Sequence, residues 1–584
     1  MKNLLFLNKY LIKYKSLLII GTIFILIANI FALYPAEFVR HAFDNIESII
    51  SKNSTKNTRN FVLLKYGGLI IVFAIMKGTF MYFMRQTIIV MSRKIEFDLK
   101  NTIYKQYQKL SLSFYKKNNT GDLMNRITED VNRVRMYLGP ALMYAINMLF
   151  LFTLVISKMI SINTTLTMYV LAPLPILAIA IYFVSNQINR KSEIVQRQLS
   201  TITSVTQEDF SAISIIKSFN NRKKSIKLFT QECKDYTKKQ LKLVSIEACF
   251  FPLIILLIGI STITTIYIGG LETFKGKITT GNIAEFIIYI NMLTWPVASV
   301  GWITSIVQRA EASMKRINEF LDNDEKIKNT GIKKKYIDFP ISFKNISFTY
   351  KDTKIKALEK INFKLERNKS LGIFGKTGSG KSTIANLICR LYENDSGNIK
   401  FGSSNIKDLN LSTLRRNIGY VPQDGYLFSG TVEENISFGR EKCSIDEIKE
   451  ICKITEISNE IENFENKYKT IIGERGVQLS GGQRQRISIA RALIINPSIY
   501  IFDDCLSAID ANKEEKILNN IDSYTKESTR IIISHRTSSL KNTDHIIVLE
   551  KGKIIEEGTH NELIKTNGFY AKMHEEQTKK VINK

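Results

Sequence analysis

Eight consecutive residues, Gly375-Lys376-Thr377-Gly378-Ser379-Gly380-Lys381-Ser382, have the types and spacing of a loop that grips a chain of phosphates, G-x-x-x-x-G-K-S. Glycines let successive backbone N–H groups curl around phosphate oxygens, and a helix opening at the end of the loop adds positive potential. Lys381 is placed to reach the β- and γ-phosphates, Ser382 to ligate Mg²⁺, and Thr383 follows on the first helical turn beside the nucleotide. A second group lies further on, where the apolar run Ile499 to Phe502 ends in Asp503-Asp504. A carboxylate at the end of a buried strand is where such an enzyme holds its magnesium, which assigns Asp503 to the metal.

These groups need a scaffold. Ile361 to Leu365 and Ser370 to Phe374 read as strands, and the second runs directly into the loop, giving the strand–loop–helix context that a chance glycine-rich turn would lack. By itself the loop indicates only a nucleoside triphosphatase. The pentapeptide Leu479-Ser480-Gly481-Gly482-Gln483, followed by Arg484, Gln485 and Arg486, narrows the class. With it the chain resembles the ABC transporter family, whose signature sequence is LSGGQ.

The resemblance extends over the whole chain and implies roles for further residues. Tyr350 stands where the family stacks an aromatic ring on adenine. Gln423, in Tyr420-Val421-Pro422-Gln423-Asp424, matches the loop that contacts Mg²⁺ and couples to the membrane domain. Glu474, in Gly473-Glu474-Arg475-Gly476, matches a coupling loop of exporters. Asp510, in Ser507-Ala508-Ile509-Asp510, matches the D-loop, and His535 matches the switch histidine that contacts the γ-phosphate. The family further implies two halves docked head to tail, with each ATP between one phosphate loop and the signature residues Leu479 to Gln483 of the other half.

One position departs from the family. After the magnesium aspartate the family usually has Glu, the general base that positions the attacking water; here it is Asp504. Aspartate is one methylene shorter, which draws the carboxylate back by about 1.5 Å. Misplacement by about 1 Å can cost roughly 10²-fold in rate. Bacterial heterodimeric exporters often contain one half with this Asp and an intact signature. The resemblance therefore implies a heterodimer, in which this chain retains ATP at its own loop and completes the active site of a partner half bearing Glu. The alternative is that Asp504 still serves as base, slowly.

The N-terminal half is different in kind. A bilayer crossing takes about 20 mostly apolar residues, and six stretches qualify: Leu17 to Val39, Gly67 to Met91, Leu138 to Ile160, Thr164 to Val184, Cys249 to Gly269 and Asn282 to Ile306. The first is too long for a removed signal peptide and reads as a permanent helix. The net charge of +28 admits nucleic-acid binding. However, Lys and Arg crowd the segments beside apolar runs, at the N-terminus and over Ser92 to Arg135 and Asn186 to Lys242. That distribution fits cytoplasmic flanks of a membrane protein, with no nucleic-acid partner. It places the N-terminus and the C-terminal domain in the cytoplasm, although the loop near Ser51, assigned outside, is itself somewhat basic. Six scattered cysteines form no C-x-x-C pair, so neither a metal cluster nor a disulfide framework is indicated.

Between the spans, Ser92 to Lys109 and Gln187 to Lys242 keep helical spacing of apolar residues and extend into the cytoplasm. The expected tips are Thr120-Gly121-Asp122-Leu123-Met124-Asn125-Arg126 and Glu208-Asp209-Phe210-Ser211-Ala212-Ile213, which make Gly121, Asp122 and Phe210 coupling residues. Thr120 to Leu123 matches the family's first coupling pattern, and Ala310-Glu311-Ala312-Ser313 through Arg316-Ile317 its exit from span six. Two ionisable residues inside spans, Lys77 and Glu285, either line a substrate cavity or form internal ion pairs or snorkel. Arg85, nearer the inner surface, is expected to snorkel, and Trp295-Pro296 marks either a kink or a packing site.

The expected architecture is thus an all-α six-helix transmembrane domain over residues 1–322, a linker over 323–338, and an α/β P-loop ATPase domain over 339–584. The expected function is ATP-driven export of a hydrophobic or amphipathic, drug-like or lipid, substrate across the cytoplasmic (inner) membrane, with ATP and Mg²⁺ and a second half-transporter. Homodimeric lipid flippase, exporter-fold importer and ATP-binding membrane regulator are the alternatives; a soluble DNA-acting ATPase would leave six spans unexplained.

Overall fold

The structure is a computed structural model and describes residues 2–51, 56–323, 327, 329, 331, 336–440, 442–473, 476, 479–507, 509 and 511–582. The chain forms two compact units, Met1–Gln108 with Gly121–Asn323, and Lys109–Thr120 with Asp324–Lys584.

The first unit is helical throughout. Its long helices are α1 (Lys15–Ser51), α2 (Lys56–Lys109), α3 (Thr120–Ile162, passing through two π-helical turns), α4 (Pro173–Ser211), α5 (Arg222–Ala248), α6 (Phe250–Phe274) and α7 (Thr280–Leu321). Among the described residues, five helical segments are long and apolar enough to cross a bilayer, with α5 and α6 counted as one. The fourth expected stretch is divided into Thr164–Leu171 and α4, with Ala172 between them. Pro173 and Pro175 carry no N–H, so the hydrogen-bond ladder is interrupted where they fall. Ala172 itself keeps right-handed helical dihedrals, so the two segments follow one another directly.

Side-chain chemistry explains how these helices hold together without water to drive them. Gly21 lets α1 approach α2 so closely that a Cβ there would lie 2.5 Å from Ile88. Glu285 on α7 is fully buried; it pairs with Arg40 of α1 at 3.3 Å and accepts the hydroxyl proton of Tyr289 at 2.8 Å. Of the two readings of Glu285, the internal ion pair is the one observed. Lys77 instead lines a cavity of about 210 Å³ together with Arg85, Asn29, Asn147 and four methionines. Arg85, expected to snorkel, belongs to that same cavity lining. At the far end of α7, Glu311 accepts the backbone N–H groups of Asn3 and Leu4 at 3.2 and 3.3 Å, and Arg316 pairs with Asp130 of α3.

The first expected tip is displaced. The chain reverses between α2 and α3 over residues 110–119, where a short helix, Leu112–Lys117, belongs to the second unit. Gly121 and Asp122 lie in the first turn of α3, where the Asp carboxylate faces the positive end of the helix. The second tip is found where it was expected: α4 ends at Ser211, Asp209 accepts the Ser225 hydroxyl, and Phe210 is 73 % exposed.

The second unit is built on β1 (Ile341–Tyr350), β2 (Ile355–Leu365), β3 (Ser370–Gly375), α8 (Lys381–Ile388), β4 (Ser396–Phe401), β5 (Ile418–Val421), α9 (Gly481–Leu493), β6 (Ile499–Asp503), β7 (Thr529–Ser534), β8 (His545–Glu550), β9 (Lys553–Gly558) and α10 (Phe569–Ile582). The main sheet has the order β9-β8-β3-β7-β6-β5 and is parallel except at its β9 edge. An antiparallel sheet, β2-β1-β4 with Ser404–Asn405, lies beside it. β3 and β6 are buried at every residue, as strands covered on both faces must be. Alternation sorts their side chains: Ile373, Ile499 and Ile501 enter one core, Phe374, Tyr500 and Phe502 the other.

Replacing Arg40 by Met leaves the Glu285 charge buried and unpaired. We expect it to destabilise the membrane unit by about 3–5 kcal/mol, whereas Arg40→Met with Glu285→Gln recovers most of that loss. Thermal unfolding of the purified chain, followed by size-exclusion recovery, checks both.

Candidate ATP-binding site

Register places the site. β3, β7 and β6 run parallel with Phe374 opposite Ser534 and Ile533 opposite Asp503, so all three carboxyl ends open at one edge. The residues that follow, Gly375 to Ser382, His535 and Asp504, are therefore gathered there, at the crevice where open α/β sheets bind ligands.

The loop after β3 is shaped by close approach. Gly380 has φ +104°, and a Cβ on it would lie 2.4 Å from the carbonyl oxygen of Ala357, so no other residue fits without displacement. Lys381 folds back on the loop, donating to the carbonyl oxygens of Gly375 at 2.7 Å and Lys376 at 2.9 Å. Burial lowers its pKa, against the nearby Asp504 and Asp503 charges. Ser379 is buried, and its hydroxyl oxygen has no hydrogen-bond partner among the described residues. A cationic amine held among carbonyls and an orphaned buried hydroxyl are both satisfied by phosphate oxygens.

Asp503 accepts the Ser382 hydroxyl at 3.0 Å and the Tyr420 hydroxyl at 3.3 Å. Burial pushes its carboxyl pKa upward, opposed by those two hydrogen bonds and by Lys381, and reinforced by Asp504. Among the described residues no three His, Cys, Asp or Glu side chains cluster as a metal cage. One carboxylate beside one hydroxyl is instead the sparse set that a hard cation uses when substrate phosphates complete its shell.

Asp504 follows in a left-handed conformation, φ +47°, its N–H bonded to the Ile533 carbonyl at 2.8 Å. Both of its oxygens face His535 Nδ1, at 2.8 and 2.9 Å. An ionised carboxylate only accepts, so Nδ1 carries the proton. Tyr350 packs its ring edge-on to Phe348 and Tyr392, and its hydroxyl lies 3.0 Å from Thr383 Oγ1. Lys116, from the short helix, sits 5.2 Å above the Tyr350 ring.

The signature residues point elsewhere. Ser480 and Gln483 form a reciprocal N-terminal capping box on α9, and Gln483 Nε2 donates to Glu460 at 3.0 Å. Glu460 also binds Arg486 at 2.8 Å and Lys513 at 3.2 Å. Leu479 packs on one core, while the helix after the phosphate loop packs in the other. Gln423 is exposed, in the turn after β5. That turn is tied to α9 by Arg491, which donates to the carbonyls of Tyr426 and Asn435, each at 2.8 Å; burial lowers the Arg491 pKa to about 10. Glu474 and Asp510 lie outside the described residues.

One residue of functional geometry carried no signal in the sequence. Gln577 of α10 donates through Nε2 to the His535 carbonyl at 2.8 Å, and its Oε1 accepts the Thr537 N–H at 2.9 Å. It thus clamps the backbone on both sides of Arg536. The Thr537 hydroxyl also donates to Gln577, so the His574 Nδ1 atom 2.8 Å away must be the donor to that hydroxyl.

The family description "ABC transporter transmembrane region" matches residues 18–297, and "ABC transporter" matches residues 358–507. The probable multidrug resistance ABC transporter ATP-binding/permease protein YheI of Bacillus subtilis is 32 % identical over 562 residues, covering 96 % of this chain and 94 % of that protein. The ATP-dependent lipid A-core flippase of Syntrophus aciditrophicus is 34 % identical over 529 residues, covering 89 % and 87 % respectively. A solved structure of a bacterial Atm1-family ABC exporter with ATP bound shares the fold at TM-score 0.77 with 23 % identity, covering 98 % of each chain. This chain belongs to the ABC transporter family, with an exporter-type helical membrane domain followed by an α/β ATPase domain, and its chemistry is ATP hydrolysis coupled to transport.

Gln577→Ala frees the backbone that carries His535. Measured in an Asp504→Glu background, so that turnover at this chain's own phosphate loop is read, kcat should fall about tenfold while KM for ATP changes less than about twofold. Equal losses in both, or none, would show that α10 acts only structurally.

Proposed function

We propose that this chain is the slow-site half of a heterodimeric exporter, which moves hydrophobic or amphipathic molecules, drug-like or lipid, out across the cytoplasmic membrane. The observation that carries the reading is Asp504. It occupies the position of the catalytic base with a side chain one methylene too short, and its carboxylate is engaged by His535 Nδ1 at 2.8 Å. The loop around it is otherwise equipped to hold ATP: Lys381 and Ser379 toward the phosphates, Thr383 beside them and Tyr350 toward the adenine. Ser382 and Asp503 would hold Mg²⁺, with Gln423 completing its surroundings; the ion neutralises charge on the phosphates as they transfer.

The signature supports a partner. Leu479 to Gln483 keep their capping geometry but make their contacts with Glu460 and the core, away from this chain's own phosphate loop. They would serve the phosphate loop of a second half that bears Glu at the base position. The exposed ring of Phe210 at the tip beyond α4, and the exposed pair Phe428 and Phe438 stacked 4.5 Å apart on the ATPase unit, are apolar surfaces that a second half would cover. Gly121, Asp122, Glu474 and Asp510 are proposed to carry motion between ATP and the membrane domain. Lys77 is proposed as a substrate-facing cation, supported by its place in a cavity beside Asn29 and Asn147.

ATP binding would draw the two ATPase domains together, the tips would transmit that closure, and hydrolysis at the partner's site would reset the cavity. The test is hydrolysis by this chain purified alone, as it stands and as Asp504→Glu. Wild-type turnover should be low, and Asp504→Glu should raise it at least about tenfold. Vigorous wild-type ATPase activity, unchanged or reduced by Asp504→Glu, would refute the slow-site reading and favour a homodimer.

A further inference from the structure

The chain has two tryptophans, Trp295 and Trp302, and both line one cavity of about 560 Å³ in the membrane unit. Arg309 lines the same cavity. The three residues are spaced by seven along α7. At 3.6 residues per turn, a step of seven returns to within about 20° of the same face, so the three form one stripe. Consecutive members lie about 10 Å apart along the helix axis. Tyr144 of α3 closes one side, edge-on to Trp302 with centroids 5.7 Å apart, and Ser185 and Asn189 of α4 supply polar groups.

The sign of the charge decides what such a cavity takes. Two indoles alone would attract a cation to their faces. Here a fixed guanidinium shares the space, and no carboxylate lines it among the described residues. Arg309 donates only to its own turn, to the Ser305 carbonyl at 3.3 Å and the Ser305 hydroxyl at 2.9 Å, and makes no ion pair among the described residues. The Arg309 side chain is exposed, so its fixed positive charge is open to a ligand: an anionic group gains a charge-assisted hydrogen bond there, whereas a cationic one is repelled.

We propose that this cavity binds anionic aromatic amphiphiles, with a planar ring system against Trp295 and Trp302 and an acidic group about 10 Å further along α7 at Arg309. Serine and asparagine side chains beside the rings accept or donate to polar substituents, and the apolar remainder faces Ile181 and Ile188. The inference names a substrate class for the proposed exporter and rests on that reading only for the claim that the ligand is moved. Binding itself does not depend on it.

The tryptophans supply the measurement, because all indole emission from the chain arises in this cavity. The full chain in nanodiscs of zwitterionic lipid is titrated with 1-pyrenesulfonate and, separately, with a pyrenylmethyl trimethylammonium salt of the same ring, following energy transfer from tryptophan. Saturable transfer is expected for the sulfonate, at least about tenfold tighter than for the cation. Arg309→Gln should abolish that preference and Arg309→Lys should keep it. Cation binding as tight as the sulfonate, or a preference unchanged in a folded Arg309→Gln protein, overturns the proposal. Transport is read separately, as ATP-dependent movement of each pyrene in vesicles containing this chain and any partner half. Transport of the cation alone would refute the anionic class and leave the exporter reading intact. Sulfonate binding with no ATP-dependent movement of either dye would refute the exporter reading and leave the site.

Discussion

Hydrogen bonding between β3, β7 and β6 sets the positions of the glycine loop, Asp503, Asp504 and His535 relative to one another. The three strands are parallel and in register at their carboxyl ends. Each is followed by a residue or loop that cannot remain in the sheet: the glycine loop after β3, Asp504 in a left-handed conformation after β6, His535 after β7. A slip of one residue in β6 would turn Asp503 to the opposite face and separate it from Ser382. The two isoleucine- and aromatic-rich cores resist that slip, because alternate residues of each strand are committed to opposite sides.

Polar groups in the membrane unit obey a different economy. Burial in hydrocarbon penalises an unpaired charge, and Arg40 with Glu285 forms a buried pair between distant segments; beyond the spans, Arg316 with Asp130 and Glu311 with the chain's first residues likewise tie distant segments. Those residues brace the bundle. Lys77, Arg85 and Arg309 stand apart from them because they line cavities, and both cavities include Tyr144. Arg40 and Arg316 thus hold segments together, whereas Lys77, Arg85 and Arg309 face open space.

The residues proposed to bind phosphate were readable in the sequence because their chemistry depends on local spacing. Gly375 to Ser382 must bend and donate within one loop, and Asp503 must end a buried strand, whatever the rest of the chain does. Gln577, Glu460 and Arg491 were not readable. Each is a polar residue on a helix surface, like many others, and acquires its role from the loop that happens to pack on it. The division of the fourth stretch was available in Pro173 and Pro175, and long apolar runs on either side concealed it. The first tip was placed too late because Thr120-Gly121-Asp122 has turn-like composition, yet those residues begin a helix and the reversal precedes them.

The short helix Leu112–Lys117 belongs to the ATPase unit although the chain on both sides of it belongs to the membrane unit. The ATPase unit is therefore not a continuous piece of polypeptide: part of the cover over Tyr350 and Tyr392 is contributed by Lys116, more than 200 positions upstream. A gene cut at the boundary suggested by the linker would yield a C-terminal fragment without the Lys116 cover over Tyr350 and Tyr392. Measurements on that fragment would describe an incomplete unit, and the deficit would report what the short helix Leu112–Lys117 adds to it.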